Sequence, residues 1–148
     1  TEIYTLSLHD ALPISENFRY NDDHVWMEYS EDGFIKCGLT EFLCETAGEI
    51  IEINFIRNIL NMEVNSNDPI LSIESLNTFI TIKSPIPGIV VEINQNSMDT
   101  PGLLNTDPYG EGWLFVISSD NVSDFELQMH HDEYEYLVMK EKEDMELI

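Results

Sequence analysis

Short apolar runs dominate this chain, either alternating with polar residues or standing as β-branched blocks, and Gly, Asn, Asp or Pro separates one run from the next. That punctuation predicts short strands. Residues 23–29 (DHVWMEY) and 33–38 (GFIKCG) form a first pair, joined by Ser30-Glu31-Asp32-Gly33, whose closing Asp-Gly is a hairpin signal. Pro69–Ser75 (PILSIES) and Phe79–Lys83 (FITIK) form a second pair. In Phe79–Lys83 the period of two places Phe79, Thr81 and Lys83 on one face and Ile80 and Ile82 on the other. Leu76-Asn77-Thr78 is the predicted hairpin tip, and Asn77 suits a turn because Asn tolerates positive φ. A turn-rich loop at 106–112 (TDPYGEG) feeds another strand at 113–117.

Helical period is scarcer. Thr40 reads as the N-cap of a helix over Glu41–Ala47, with Gly48 as its stop. Near the C-terminus, after a cap at Asp120 or Ser123, Phe125, Leu127, Met129, Tyr134, Leu137 and Val138 make a loose helical stripe. Residues 140–148 are charged and expected to fray.

Residues 47–54 (AGEIIEIN) and 87–94 (PGIVVEIN) repeat at an offset of forty, with Gly48/Gly88, Glu52/Glu92, Ile53/Ile93 and Asn54/Asn94 identical. The fixed offset suggests two quasi-equivalent halves of one small sheet sandwich; chance likeness between two strands is the alternative.

Six Lys+Arg stand against 29 Asp+Glu, a net charge of −23 over 148 residues. Arg19, Lys36, Arg57, Lys83, Lys140 and Lys142 are scattered, so neither a nucleic-acid backbone nor an anionic membrane surface is an expected partner. With 43% hydrophobic residues the chain has material for a core despite its charge, and one domain is expected. No run approaches the ~18–20 apolar residues of a membrane span. No basic segment followed by an apolar one marks a secretory leader. Cys37 and Cys44 lack metal-ligand spacing and are expected to be buried free thiols in a cytoplasmic protein.

Residues 1–15 (TEIYTLSLHDALPIS) read as foreign to the rest, and resemble a translated short-read library adapter. ACTCTTTCCCTACACGACGCTCTTCCGATC read in frame reproduces Thr5 to Ile14 residue for residue. The segment is expected to be non-native or disordered, and the natural start to lie upstream of, or near, Glu16. A natural disordered leader is the alternative.

Catalytic signals are weak. His24 in DDHVW is expected to be structural, beside a buried Trp26, because no second ligand stands at metal spacing. Neighbours in His130-His131-Asp132-Glu133 do not share a helix face, so that cluster reads as a solvated helix start, with metal binding as the alternative. Nothing brings Glu74 and Glu45 together as a carboxylate pair. No nucleophile elbow, phosphate loop or dinucleotide glycine motif is present, and catalysis by this chain alone is not expected.

Several blocks, taken in order, resemble the H-protein family of the glycine cleavage system. They are residues 20–26 (YNDDHVW), Gly38-Leu39-Thr40 before the helix, Gly48, Glu74-Ser75, Ser84-Pro85 with Gly88, Asn94, and residues 101–113 (PGLLNTDPYGEGW). The resemblance runs from about Phe18 to Met139. It implies a mainly β barrel-sandwich hybrid of the lipoyl/biotinyl type, with a short helix in the N-terminal half and a C-terminal helix. The implied organisation is an adapter-like stretch at 1–15, a lipoyl-type domain at 16–139 and a charged tail at 140–148. The resemblance also implies a hairpin presenting a lipoylated lysine. The arm on that lysine takes an aminomethyl group from glycine decarboxylase, passes it to the aminomethyltransferase and is reoxidised by dihydrolipoamide dehydrogenase. Those three enzymes and the lipoate-transferring enzymes are the implied partners.

In the family the lysine follows a Glu-Ser-x run. Here Glu74-Ser75-Leu76 is followed by Asn77, whose amide is not nucleophilic and cannot be lipoylated. Glu74, Ser75 and Gly88 remain as the residues expected to present the hairpin. The small residues that usually follow the lysine are replaced by Thr78-Phe79, and residues 55–68 lack the family's Pro and Gly turn formers. The leading reading is therefore a divergent homologue with no lipoate of its own. A carrier whose lysine is lost to sequence error, or replaced by another site, is the alternative. Phe79 is expected to pack into the sandwich rather than serve as a new contact.

Overall fold

The computed structural model describes residues 12, 13 and 15–146. The remaining residues of the adapter-like stretch, and the last two of the chain, lie outside the described residues.

Among the described residues the strands are β1 (Phe18–Tyr20), β2 (Val25–Tyr29), β3 (Phe34–Leu39), β4 (Ile50–Phe55), β5 (Glu63–Val64), β6 (Pro69–Ser75), β7 (Phe79–Lys83), β8 (Gly88–Ile93) and β9 (Phe115–Ser118). They form a six-stranded antiparallel sheet in the order β1-β2-β3-β9-β8-β5 and a three-stranded one in the order β4-β6-β7. Val25, Met27, Ile35, Phe115 and Ile117 from the larger sheet and Ile53, Ile73 and Ile82 from the smaller one share a single buried cluster between the sheets. This is the barrel-sandwich arrangement that the family resemblance implies. The two repeat copies enter different sheets, β4 in the smaller and β8 in the larger. Their terminal asparagines diverge: Asn94 is buried and donates to the carbonyls of Glu111 and Trp113, whereas Asn54 is exposed.

β2 is buried on both faces, which explains its break from simple alternation. Val25 and Met27 face the sandwich, while Trp26 joins a second cluster with Tyr20, Phe42, Tyr134 and Val138. Gly38 lies directly across from Trp26, and a Cβ there would sit 2.7 Å from the indole ring, so the ring needs a glycine to cross. Two residues of the adapter-like stretch touch this cluster: Leu12 packs on it, and the Pro13 carbonyl accepts a 2.6 Å bond from Tyr20 Oη.

Helix α1 (Glu41–Ala47) matches its expected bounds, with Thr40 Oγ1 accepting from Leu43 N and Gly48 ending it at φ +86. Two short helices were not foreseen, α2 (Gln95–Asp99) and α3 (Leu103–Thr106). The C-terminal stripe is two helices rather than one, α4 (Val122–Glu126) and α5 (His131–Glu146). The N-cap of α4 is Asn121, in place of Asp120 or Ser123. The break between them is where Met129 exchanges backbone hydrogen bonds with Tyr20, which removes Met129 from any helical ladder. Leu127 consequently falls in a linker and is 82% exposed, contrary to its expected place in the apolar stripe. Beyond Met139, α5 continues to Glu146, held at Glu141 by His24 and at Lys142 by the Phe42 ring.

Residues 55–68 turn without Pro-Gly chemistry because asparagines do the work. Asn58, Asn61 and Asn67 adopt φ of 62°, 67° and 73°. Changing any one to Ala should cost about 1 kcal/mol and changing it to Gly only a few tenths, measurable by urea denaturation.

Cys37 and Cys44 are buried free thiols, as expected. Burial pushes the Cys44 pKa up to about 12, with Glu41 and Glu45 adding to the rise, and burial also raises Cys37. Neither should react with an aromatic disulfide reagent at pH 8 until urea is added. An unfolded thiol ionises near its ordinary value of 9.0 and the folded one does not, so the thiol contribution is full below pH 9 and is lost as pH climbs toward 12.

Candidate functional site

The β6–β7 hairpin tip is a three-residue turn, Leu76 to Thr78, and it is stapled to the end of α1. Ser75, buried, donates from Oγ to the Ala47 carbonyl at 2.7 Å and accepts from Thr78 N at 3.0 Å and Asn77 N at 3.3 Å. Leu76 N donates to the Glu49 carbonyl at 3.0 Å. Asn105, which sequence reasoning missed, clamps the facing backbone by accepting from Ile50 N at 2.9 Å and donating to the Gly48 carbonyl at 3.0 Å. No sequence pattern marks such an Asn, because its two backbone partners are more than fifty residues away. The tip is thereby a rigid projection rather than a loose loop.

Asn77 sits at the apex and is exposed, with its amide lying back against Gly48. A Cβ on Gly48 would stand 2.8 Å from Asn77 Nδ2. Glu74 is exposed on the outer face of the small sheet. Gly88 is not part of this site. It begins β8 in the larger sheet, where a Cβ would collide with Ile117 and the Ser118 carbonyl, so its glycine requirement belongs to the β8–β9 approach rather than to hairpin presentation.

Register defines the outer face. Glu52, Glu74 and Phe79 form one row across β4, β6 and β7, and Asn54, Ser72 and Thr81 form the next. Phe79 is 64% exposed, so it does not pack into the sandwich; the period of two that turns Ile82 inward turns Phe79 outward with Thr81 and Lys83. A β-bulge between Ile50 and Glu52 adds Ile51 to the exposed side, at 47%, and Leu76 at the turn is 68% exposed. Among the described residues, Glu49, Glu52 and Glu74 form no ion pair.

A lipoyl group needs a primary amine at the apex. Residues 76–79 carry none, and Lys83 lies at the opposite end of β7, paired with Pro69. Six residues of extended chain separate it from Asn77, roughly 20 Å at strand rise. The residues at the tip therefore do not fit lipoate attachment.

His24 has a structural place. His24, buried at φ 67°, bonds Tyr134 Oη through Nδ1 at 2.8 Å and Glu141 through Nε2 at 2.9 Å. Tyr134 Oη also bonds Thr40 Oγ1 at 2.6 Å, so the trio ties the start of α1 to α5. His131, Asp132 and Glu135 converge at the start of α5, with Asp132 in solvent and His131 and Glu135 half-buried. A cleft of about 400 Å³ lies on the larger sheet, lined by Glu28, Tyr29, Phe34, Lys36, Glu92 and Val116, away from the tip.

The chain matches the family described as "Glycine cleavage H-protein" over residues 18–141. It is 31% identical over 127 residues to the glycine cleavage system H protein of Coprothermobacter proteolyticus, covering 86% of this chain and 98% of that one. It is 34% identical over 124 residues to that of Psychrobacter cryohalolentis, covering 82% and 95% respectively. Among solved structures it resembles a glycine cleavage system H protein from Mycobacterium marinum with a TM-score of 0.72 and 26% identity, over 83% of this chain and 95% of that one. The match over residues 18–141 and the identity to these relatives along nearly their whole length show that the chain belongs to the glycine cleavage H-protein family.

Proposed function

We propose that this chain is a non-lipoylated H protein, an interaction or regulatory homologue of the aminomethyl carrier. It docks to the glycine cleavage enzymes, or to the enzymes that deliver lipoate, without a cargo arm and without catalysis of its own, and acts in the cytoplasm. The observation that carries this reading is Asn77 at the apex, where the family's Glu-Ser-x run leads to lysine. Amide formation to lipoate requires an amine that this side chain lacks, and Lys83 is too far down the strand to take its place. The Ser75 staple supports a retained docking role, since the platform is kept although the attachment point is gone.

The second reading, a working carrier whose lysine is lost to a sequence error or whose cargo attaches elsewhere, draws on the same intact platform. Intact-mass measurement after co-expression with a lipoate ligase separates the two. The expected spectrum has no lipoyl increment on the native sequence; an increment, located by peptide mapping, would sink the first reading.

A further inference from the structure

We infer that the tip face of the small sheet is a protein-docking surface that inserts Ile51, Leu76 and Phe79 into an apolar recess of a partner whose rim carries arginines. This rests on the docking role proposed above and names the surface and the chemistry it recognises.

Three large apolar side chains, 47%, 68% and 64% exposed, stand at the tip end of the small sheet, whose outward rows otherwise carry Glu52, Glu74, Asn54, Ser72 and Thr81, with Pro69 exposed at the far end. Leaving them in water forfeits the gain of burial, and grouped exposure of this kind marks interaction sites. The bulge at Ile51 acts in the same direction, because without the extra residue β4 would not turn two successive side chains, Ile51 and Glu52, to the outside.

Charge selects the occupant. Glu52 and Glu74 are direct cross-strand partners, and like charges in that position repel. Phe79 is the next residue in the same row, on the other side of Glu74. Two carboxylates beside an exposed phenyl ring suit a guanidinium, which bonds carboxylates bidentately and stacks on an aromatic face. Glu49 extends the acidic edge next to Leu76. A second copy of the chain is disfavoured as occupant, because it would bring −23 against −23 and carboxylate against carboxylate.

The test uses the full chain and the purified glycine decarboxylase, aminomethyltransferase, dihydrolipoamide dehydrogenase and lipoate-transferring enzyme of the same organism, by surface-immobilised kinetics. L76S/F79S should weaken binding to at least one of them by about thirtyfold or more, the scale of a hot-spot loss. E52Q/E74Q should slow association severalfold at low salt, and the difference should vanish near 0.5 M salt. In the free protein E52Q/E74Q should keep or raise the melting temperature, a result that a merely structural role for the pair would reverse. Leu127→Ser, at an exposed apolar residue in the α4–α5 linker, should change nothing. If the native chain binds and both tip variants bind equally well, the docking role stands and this surface assignment falls. If the native chain binds none of the four enzymes, both fall. Self-association in sedimentation that L76S/F79S abolishes would replace the Arg-rimmed partner with a second copy and overturn the assignment.

Discussion

Asn77→Lys is expected to give a lipoyl mass increment on co-expression with a lipoate ligase, where the native sequence is expected to give none. The substitution is at an exposed apex, so it should leave the fold intact. Ser75 and the Glu49 carbonyl hold the turn by bonds to Leu76 and by Ser75's own contacts with Ala47 and Thr78, none of which uses the side chain at 77. The new stem must leave the surface past Gly48, where the Asn77 amide now rests, and the absence of a Cβ there keeps the exit open. Glu74 remains exposed beside the tip. A native-like but unmodified variant would show that recognition by the ligase has decayed as well. Suspicion would then move to Phe79, the bulky exposed replacement for a small residue.

Tyr134 should be the most costly single truncation in the polar network. It is fully buried, stacks on Tyr20 at 4.9 Å between ring centroids, and its hydroxyl bonds both His24 and Thr40. Tyr134→Ala should lose about 3–5 kcal/mol, a large part of the ~5–15 kcal/mol that holds a domain together. Tyr134→Phe keeps the ring and strands two buried polar partners, for about 1–3 kcal/mol. Urea midpoints for the pair separate packing from hydrogen bonding. A neutral Tyr134→Phe would mean that His24 and Thr40 find other partners when the hydroxyl is gone.

Local chemistry made much of this fold readable. Thr40 and Gly48 bound a helix at both ends, and the period of two in Phe79–Lys83 gave the correct faces. The tip itself, with Asn77 at its apex, followed from the gap between two strands. What escaped was set by distant partners. Leu127 looked helical until Met129 paired with Tyr20 and broke the helix around it. Phe79 was read against its own alternation, as though an aromatic ring must find the core. The family resemblance ties Gly88 to the hairpin, whereas its reason for being glycine is β9, which arrives some thirty residues later. The left-handed asparagines of residues 55–68 make turns that Gly and Pro do not mark in the sequence.

The position of β9 between β3 and β8 orders events during synthesis. Its partners on one side, Phe34 to Cys37, emerge from the ribosome some eighty residues before it does. Until β9 is made, the larger sheet is in two pieces, β1-β2-β3 and β8-β5, with no strand between them. The β4-β6-β7 sheet has no such debt, because its pairings are local and available early. The hairpin platform can thus form while the rest of the barrel is still waiting for its keystone, and the surface proposed to meet partners is among the first to take shape.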